Sequence, residues 1–209
     1  HHGEIGLTAP FGFAKPQPQQ PCDIDQHFDF VVVGSPRPQA VETAQQLLPR
    51  LKTDKIVLHD GEDYFEFAHS AIKKTKARLY LKRELVKMES VDNVTVKPFP
   101  FSCPLTISQN CTKEVDVLCA VGDSHPARAA SKQAVANIPG LRVLAGHWGW
   151  SRYIELIALS RIAVAPRGHG EDTVRRWEIP AFDTLLMCEK LSLLEENPLR
   201  DGEHCVYYE

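Results

Sequence analysis

Three loops in the second half of the chain carry glycine and polar side chains directly after apolar segments. Their sequences are VGDSHPAR at residues 121–128, GHWGWS at 146–151 and PRGHGEDT at 166–173. Glycine lets a backbone approach a ligand closely. In open parallel sheets, ligands bind beyond the carboxyl ends of the strands, where loops of this kind would lie. Together the three loops favour a nucleotide-like ligand.

The first loop has the features of a phosphate site at the start of a helix. Gly122 ends an apolar segment, Ser124 can cap the following helix, and Pro126 suits its first turn. The free amides and the positive end of that helix would face a phosphate, and Arg128 could add a charge-assisted contact. The alternative is that Ser124 acts only as a helix cap.

The second loop places aromatic rings beside two glycines. In such a loop Trp148 could form a platform for a purine or pyrimidine base. The alternative is that the ring is an anchor in the core, because large aromatic side chains are mostly buried.

The third loop and the residues after it combine small side chains with arginines and carboxylates. Guanidinium groups and backbone amides bind phosphates, whereas carboxylates accept hydrogen bonds from sugar or ribose hydroxyls, so this mixture suits a sugar diphosphate. The candidate residues are Arg167, Gly168, Gly170, Glu171, Thr173, Arg175, Arg176 and Glu178.

The charges of the third loop also have a purely structural interpretation. A helix that starts near Asp172 or Thr173 would carry stabilising acid–arginine pairs at four-residue spacing. Those pairs are Glu171 with Arg175 and Asp172 with Arg176.

The first half offers acids after another apolar segment, in LHDGED at residues 58–63. Asp60, Glu62 or Asp63 could act as a general base towards an acceptor hydroxyl, if one of them faces the second half across a cleft. The alternative is local, with a turn at Asp60-Gly61 and a helix start at Glu62-Asp63.

Short apolar segments alternate with amphipathic ones along most of the chain. In the first half, VVVG, KIVLHD and ARLYL have the apolar character of strands, and in the second half VDVLCAVG, LRVLAG, IAVAP and TLLM have it. Helical spacing occurs at residues 126–137, 151–159 and 173–179. This alternation predicts an α/β fold with Rossmann-like parallel sheets and helices on both faces.

Composition suggests where domains begin and end. Residues 1–27 are rich in proline and glutamine, which predicts an extended tail or connector. Residues 28–100 predict a partial Rossmann-like domain, which we expect to be incomplete, and residues 114–209 predict a second, ligand-binding domain. Between them, residues 101–113 are expected to be a linker, because VTVKPFPFSCPLTISQN at 94–110 contains three prolines and no helical period.

Charge and composition argue against several classes of partner. A formal net charge of −3, with both signs mixed along the chain, lacks the basic stripe that nucleic acid requires. The sequence has no apolar run long enough to span a membrane and no histidine spacing typical of a metal site.

The six cysteines form no close pair and indicate free thiols in a reducing compartment, so we expect a cytoplasmic protein. The glycosylation sequons at Asn93 and Asn110 leave a secretory route open.

The segment SRIAVAPRGHGEDTVRRWE at residues 160–178, followed by a small apolar strand and DGEHCVYY at 201–208, resembles a known family. It is similar to the donor-binding domain of GT-B glycosyltransferases, especially the spore-maturation CgeB-like and exostosin-like groups. LYLKREL at 79–85 and VKPFPFS at 96–102 resemble the part of those proteins that leads from the first domain into the second. The resemblance covers residues 78 to 209, roughly.

This resemblance implies two facing Rossmann-like domains, an acceptor-side domain and a donor-binding domain. Such a protein moves a sugar from a nucleotide diphosphate to a hydroxyl acceptor, here unidentified, and commonly needs no bound metal. The nucleotide-diphosphate sugar is its donor substrate, and no other cofactor is expected. By this resemblance Arg167, Gly168, Gly170 and Thr173 line the diphosphate and sugar, Arg175 or Arg176 counters the leaving diphosphate, and Glu178 holds the ribose.

Two other functions stay open. The chain could be a non-catalytic nucleotide- or glycan-binding module or a truncated glycosyltransferase partner, because its ends are shorter than the family's and FDT at 182–184 stands where relatives have an Ala-Gly turn. Glu171 and Glu178 also have six residues between them, where many retaining relatives have seven. A Rossmann oxidoreductase is disfavoured, because no Gly-x-Gly-x-x-Gly motif opens either half.

Overall fold

A computed structural model describes residues 28–91, 93–103, 111–136 and 138–208. In this part of the chain the strands form two separate sheets, and every pair of neighbouring strands is parallel. With helices between the strands, the chain has a Rossmann-like α/β fold, as predicted. The tail predicted at residues 1–27 lies outside the described residues, as does the central part of the predicted linker.

The first sheet has four strands in the order of the chain. They are β1 (Val31–Val33), β2 (Ile56–Asp60), β3 (Leu79–Lys82) and β4 (Thr95–Pro98), with helices α1 (Pro38–Leu47) and α2 (His69–Thr75) between the first three. Pro38 stands in the first turn of α1, where its missing N–H is not needed. Because the strands follow one another in a single direction, right-handed connections place α1 and α2 on the same face.

Alternate residues of the first sheet face these helices. Val33, Leu58, Tyr80 and Val96 lie side by side in register and pack with apolar residues of α1 and α2 in one core cluster. On the opposite face Val32 is 50% exposed. In the described part of the chain, the helices of this sheet therefore cover only one of its faces.

Strand β4 lies in a segment for which the sequence predicted no element. It pairs with β3 from Thr95 to Pro98, and the amide of Phe99 donates to the carbonyl of Lys82 at 3.0 Å. Pro98 fits because β4 is an edge strand, so the missing N–H removes no bond from a further strand. The prolines of this region therefore end a strand and do not exclude one.

The second sheet has five strands in the order β6-β5-β7-β8-β9. They are β5 (Val115–Ala120), β6 (Val143–Gly146), β7 (Ser160–Ala165), β8 (Leu185–Glu189) and β9 (Val206–Tyr208), with helices α3 (Pro126–Ala136), α4 (Trp150–Ala158) and α5 (Arg175–Glu178). Helix α3 packs on one face through Val135, and α4 packs on the other through Leu156 and Ile157. None of the helices in the described ranges combines the length and apolar character needed to cross a membrane.

The order of the second sheet fixes the position of a crevice. The chain leaves β5 towards β6 on one side and then crosses to β7 on the other, so the direction of winding reverses between β5 and β7. In open α/β sheets, ligands bind outside the carboxyl ends of the strands at such a point. The loops after Ala120 and Ala165 flank this crevice.

Candidate functional site

Two arginines meet at the point where the strand order reverses. Arg128 comes from the first turn of α3, after β5, and Arg175 begins α5, after β7. Within the described residues neither guanidinium forms a salt bridge with a carboxylate, whereas many other arginines of the chain do. The crevice therefore carries two positive charges without a direct counter-ion.

Arg128 connects the loop after β5 with the loop after β7 through hydrogen bonds. Its Nη1 donates to Oγ of Ser124 at 2.7 Å, and its Nε donates to the carbonyl of Arg167 at 3.1 Å. Partial burial and the nearby charge of Arg175 lower the pKa of Arg128. Two cations held this close would gain from an anion between them.

Arg175 is held at the end of β5 by a backbone contact. Its Nε donates to the carbonyl of Ala120 at 2.9 Å, and its guanidinium carbon lies 5.4 Å from the centre of the Tyr153 ring. The Tyr153 hydroxyl donates to Oε2 of Glu178 at 2.8 Å. Burial raises the pKa of Glu178, while the Tyr153 hydrogen bond and the Arg175 charge oppose that shift. Glu178 is thus a half-buried carboxyl that is bound by Tyr153 and lies within range of the Arg175 charge.

The two glycines of the loop after β7 pack against side chains, so an added Cβ would require Arg128 or Glu84 to move. A Cβ at Gly168 would lie 2.6 Å from Nη2 of Arg128. A Cβ at Gly170 would lie 2.5 Å from Oε1 of Glu84 and 3.0 Å from Oδ1 of Asp63. The loop therefore approaches Arg128 on one side and the first sheet on the other, and glycine makes both approaches possible.

Buried carboxylates bind the two sheets to each other. The amides of Glu171 and Asp172 donate to the carboxylate of Glu84 at 2.9 and 3.2 Å, and Glu84 is fully buried after β3. In the opposite direction, the amide of Phe101 donates to Asp172 at 2.6 Å, and Nε1 of Trp177 donates to the same side chain at 3.1 Å. These reciprocal hydrogen bonds place the loop after β7 against the carboxyl edge of the first sheet.

Asp63 is the predicted acid that lies nearest the crevice. Its carboxylate pairs with Arg83, and 47% of its side chain is exposed. Arg83 in turn lies over the Phe101 ring, with 4.3 Å between the guanidinium carbon and the ring centre. The charge of Asp63 also acts on Arg128, so a first-sheet carboxylate and a second-sheet arginine share one region.

Asp60 and Glu62 lie away from the crevice and are engaged elsewhere. Asp60 is 2% exposed and accepts hydrogen bonds from the Tyr80 hydroxyl and from Nζ of Lys82. Glu62 forms a two-pronged ion pair with Arg37, at 2.7 and 2.8 Å. Of the three proposed bases, the structure brings only Asp63 to the second sheet.

The first two loops of the second half differ from their predicted details. His125 stands directly before α3, and its Nδ1 accepts from the amide of Ala127 at 3.2 Å, so His125 takes the capping position expected for Ser124. The Trp148 ring packs over Gly146 and against the core cluster. Gly122 lies close to the ring of His147. Trp148 thus has the position of a half-buried anchor at the margin of the crevice.

The acid–arginine pairs expected within one helix do not form in the described structure. Helix α5 starts only at Arg175, so Glu171 and Asp172 precede it, and within the described residues neither forms a salt bridge with an arginine of α5. The charge of Arg176 still acts on Asp172, where it opposes the rise in pKa that burial causes. Glu171 instead accepts from Ser192, at 2.7 and 2.8 Å, and lies 3.6 Å from Arg167.

Arg176 and Thr173 are buried beside the crevice. Arg176 forms an ion pair with Glu195 and is 2% exposed. Thr173 is also buried, and its carbonyl accepts from the amide of Arg176 at 3.1 Å. The structure therefore separates Arg175, which faces the crevice, from Arg176, which faces the interior.

The crevice thus combines guanidinium groups, glycine backbone and one half-buried carboxyl. No protein-family model matches the chain, and no curated protein is found to match it. The argument for function therefore depends on the chemistry of the crevice itself.

Four residues of this region were not among the predicted site residues. They are Glu84, Arg83, Asp172 and Tyr153. The sequence could have indicated Glu84 and Arg83, because KREL at 82–85 places three charged residues at the end of an apolar strand. Tyr153 gives no such signal, because it has the spacing of an ordinary core residue on α4.

We predict that Glu84 makes the stability of the protein depend on pH. Burial raises the pKa of Glu84 above its usual 4.5, so the native state binds its proton more tightly than the unfolded state does. The stabilising contribution of this proton is complete below about pH 4.5 and is lost as the pH rises through the native pKa.

Urea unfolding of the wild type and of Glu84→Gln from pH 4 to 8 measures this effect. The stability of the wild type relative to the variant should fall as the pH rises. Taking the difference removes the contributions of other groups, among them Glu62, whose pKa is lowered by Arg37. A difference that grows with pH would contradict the prediction.

Proposed function

We propose that the chain binds a nucleotide-diphosphate sugar in the crevice between β5 and β7, as part of a glycosyltransferase. The observation that carries this proposal is the pair Arg128 and Arg175, two cations without a carboxylate partner in the described residues, at the carboxyl ends of parallel strands. A diphosphate carries enough negative charge to interact with both guanidinium groups.

The surroundings of the two arginines support a sugar-linked diphosphate over a simple phosphate. Gly168 lets the loop backbone pack against Arg128, and Gly170 lets it pack against Glu84, which holds the loop beside the arginines. Glu178 lies within range of the Arg175 charge and can accept hydrogen bonds from hydroxyl groups, which a bare phosphate does not donate. A ribose or hexose placed beside the diphosphate would use this carboxylate.

In the proposed reaction, an acceptor hydroxyl attacks the anomeric carbon of the donor sugar. The new glycosidic bond forms as the bond between that carbon and the diphosphate oxygen breaks. The nucleoside diphosphate leaves with the bonding electrons, and Arg128 and Arg175 stabilise its charge. The proton of the acceptor hydroxyl passes to the carboxylate of Asp63, the exposed acid on the facing sheet.

A second candidate function is binding without turnover. Its support is that all three first-sheet acids proposed as bases are already engaged, with Asp60 bound by Lys82, Glu62 by Arg37 and Asp63 by Arg83. A site of this kind would hold the nucleotide sugar as a ligand for a partner or for a larger assembly.

Titration calorimetry with UDP-, GDP-, ADP- and TDP-sugars tests the proposed function. We expect at least one of them to bind with a Kd below about 1 mM, the upper end of ordinary substrate affinities. Failure of every donor to bind at that level would refute both candidate functions. If a donor binds, release of its nucleoside diphosphate with a panel of hydroxyl acceptors supports transfer, and release that is lost in Asp63→Asn supports the assigned base.

A further inference from the structure

Charge is unevenly distributed between the two edges of the first sheet. Basic segments precede two of its strands, RLKTDK at 50–55 before β2 and KKTKAR at 73–78 before β3. The acids Asp60, Glu62 and Asp63 stand at the other end of β2. Because the strands are parallel, all the basic segments come to the amino edge, opposite the crevice.

The amino edge contains an open depression with a volume of about 1030 Å³, here called the amino-edge groove. Its rim carries the cations Lys73, Lys74, Lys76 and Arg78, all of them exposed. Asp54 is the one acid among the described residues that line the groove. The groove therefore has an excess of positive charge.

The four cations of the rim have no anionic partner in the described part of the chain. The salt bridges of the first sheet involve Arg37, His69, Lys82, Arg83, Lys87 and Lys97 and leave these four out. The helix dipole explains Lys73 and Lys74, which lie in the last turn of α2. It also favours Lys76, the C-cap residue of α2, but it does not explain Arg78, which lies beyond the helix.

Two residues of the groove adopt backbone conformations that favour glycine. Lys76 has a φ of 55° at the C-cap of α2, and Asn93 has a φ of 57° before β4. Left-handed backbone is unusual for a lysine, and glycine would fit the cap better. At this C-cap the charge of the lysine is favourable, whereas its left-handed backbone is not.

The floor of the groove is apolar. Leu48, Val91 and Val94 line it and are half-buried, above the buried side chain of Ile72. A ligand that fills the groove would therefore bury aliphatic surface as well as neutralise the rim.

We propose that the amino-edge groove binds an acidic segment of a partner protein, with carboxylates at the lysine and arginine rim and aliphatic side chains on the floor. Charge complementarity selects the acidic character. The apolar floor selects a peptide over a polyanion such as nucleic acid or a sulfated glycan, which would leave the floor empty. The concave shape selects a peptide over a membrane, whose surface is too flat to reach Leu48 and Val94.

Fluorescence anisotropy with a labelled peptide of alternating glutamate and leucine tests this proposal. We expect the peptide to bind the full chain, to bind more tightly than the same peptide with glutamine in place of glutamate, and to weaken as salt is added. The triple variant Lys73→Gln, Lys76→Gln, Arg78→Gln should weaken binding by about tenfold.

A matched control changes the charge equally on the second sheet. The variant Arg142→Gln, Arg152→Gln, Lys190→Gln removes three exposed positive charges there and should leave peptide binding unchanged. Equal weakening in both variants, or equal affinity for the glutamate and glutamine peptides, would overturn the proposal. The proposal would also be overturned if the chain binds heparin or phosphatidylserine vesicles but does not bind the peptide. The test does not involve the crevice, so its outcome is independent of nucleotide-sugar binding.

Discussion

Arg176→Ala is expected to lower the free energy of unfolding by about 3–5 kcal/mol, because it leaves a buried carboxylate without its partner. Nη1 and Nη2 of Arg176 donate to the two carboxylate oxygens of Glu195 at 3.1 and 3.3 Å, and the side chain of Glu195 is 8% exposed. Burial already raises the pKa of Glu195, and the charge of Arg176 is the largest opposing influence. Urea unfolding at pH 7 measures the loss.

Replacing both Arg176 and Glu195 distinguishes the cost of an unpaired charge from the cost of lost packing. The double variant Arg176→Met, Glu195→Leu fills the same space with apolar side chains, and exchanges of this kind are often neutral or stabilising. We therefore expect it to recover most of the stability lost in Arg176→Ala. If the double variant is as unstable as the single one, the loss does not come from an unpaired charge.

Arg175→Ala, one residue away, is expected to weaken binding of a nucleoside diphosphate and to change stability little. Loss of a charge-assisted contact of about 1.5–3 kcal/mol corresponds to a roughly 10- to 100-fold increase in Kd. Among the described residues, the Arg175 side chain donates to the carbonyl of Ala120 at the end of a strand, where water can replace the contact. Calorimetry with UDP, GDP and ADP measures the affinity, and urea unfolding measures the stability.

Two further variants make this result specific. Arg128→Ala should weaken the same ligand in the same way, because Arg128 is the second cation of the crevice. Arg161→Ala removes an equal charge at the start of β7, at the opposite edge of the same sheet, and should leave affinity unchanged. Equal losses in Arg175→Ala and Arg161→Ala would show that the effect is long-range charge and not contact with the ligand.

Much of the fold could be predicted because its central strands are buried. IVL in β2 and VDVLCA in β5 are nearly continuous apolar segments, as buried parallel strands require. The strands that were missed are β4 and β9, which are short edge strands. Lys97 and Pro98 interrupt the apolar pattern of β4, and edge strands tolerate such residues because one side has no neighbour.

The candidate site could be predicted only in part. The loop after β7 could be identified because it carries glycines and arginines near a strand end. Glycine allows the backbone to approach a ligand closely, and arginine binds anions. Arg175 and Arg176 could not be distinguished, because Glu195 lies 19 residues further along in a loop whose position no local pattern gives. Glu84 was missed because its partners are amides 87 and 88 residues away, and a backbone amide has no sequence signature.

The hydrogen bonds between the two sheets constrain the amino-acid sequence differently at their donor and acceptor positions. The donors to Glu84 and to the Phe101-facing oxygen of Asp172 are main-chain amides, which every residue except proline supplies. These hydrogen bonds therefore set no requirement on the side chains at 171 and 101, which are constrained only by other contacts, Glu171 by Ser192 and Phe101 by Arg83. The acceptors at 84 and 172 have no such freedom, because each of these bonds needs a side-chain oxygen there.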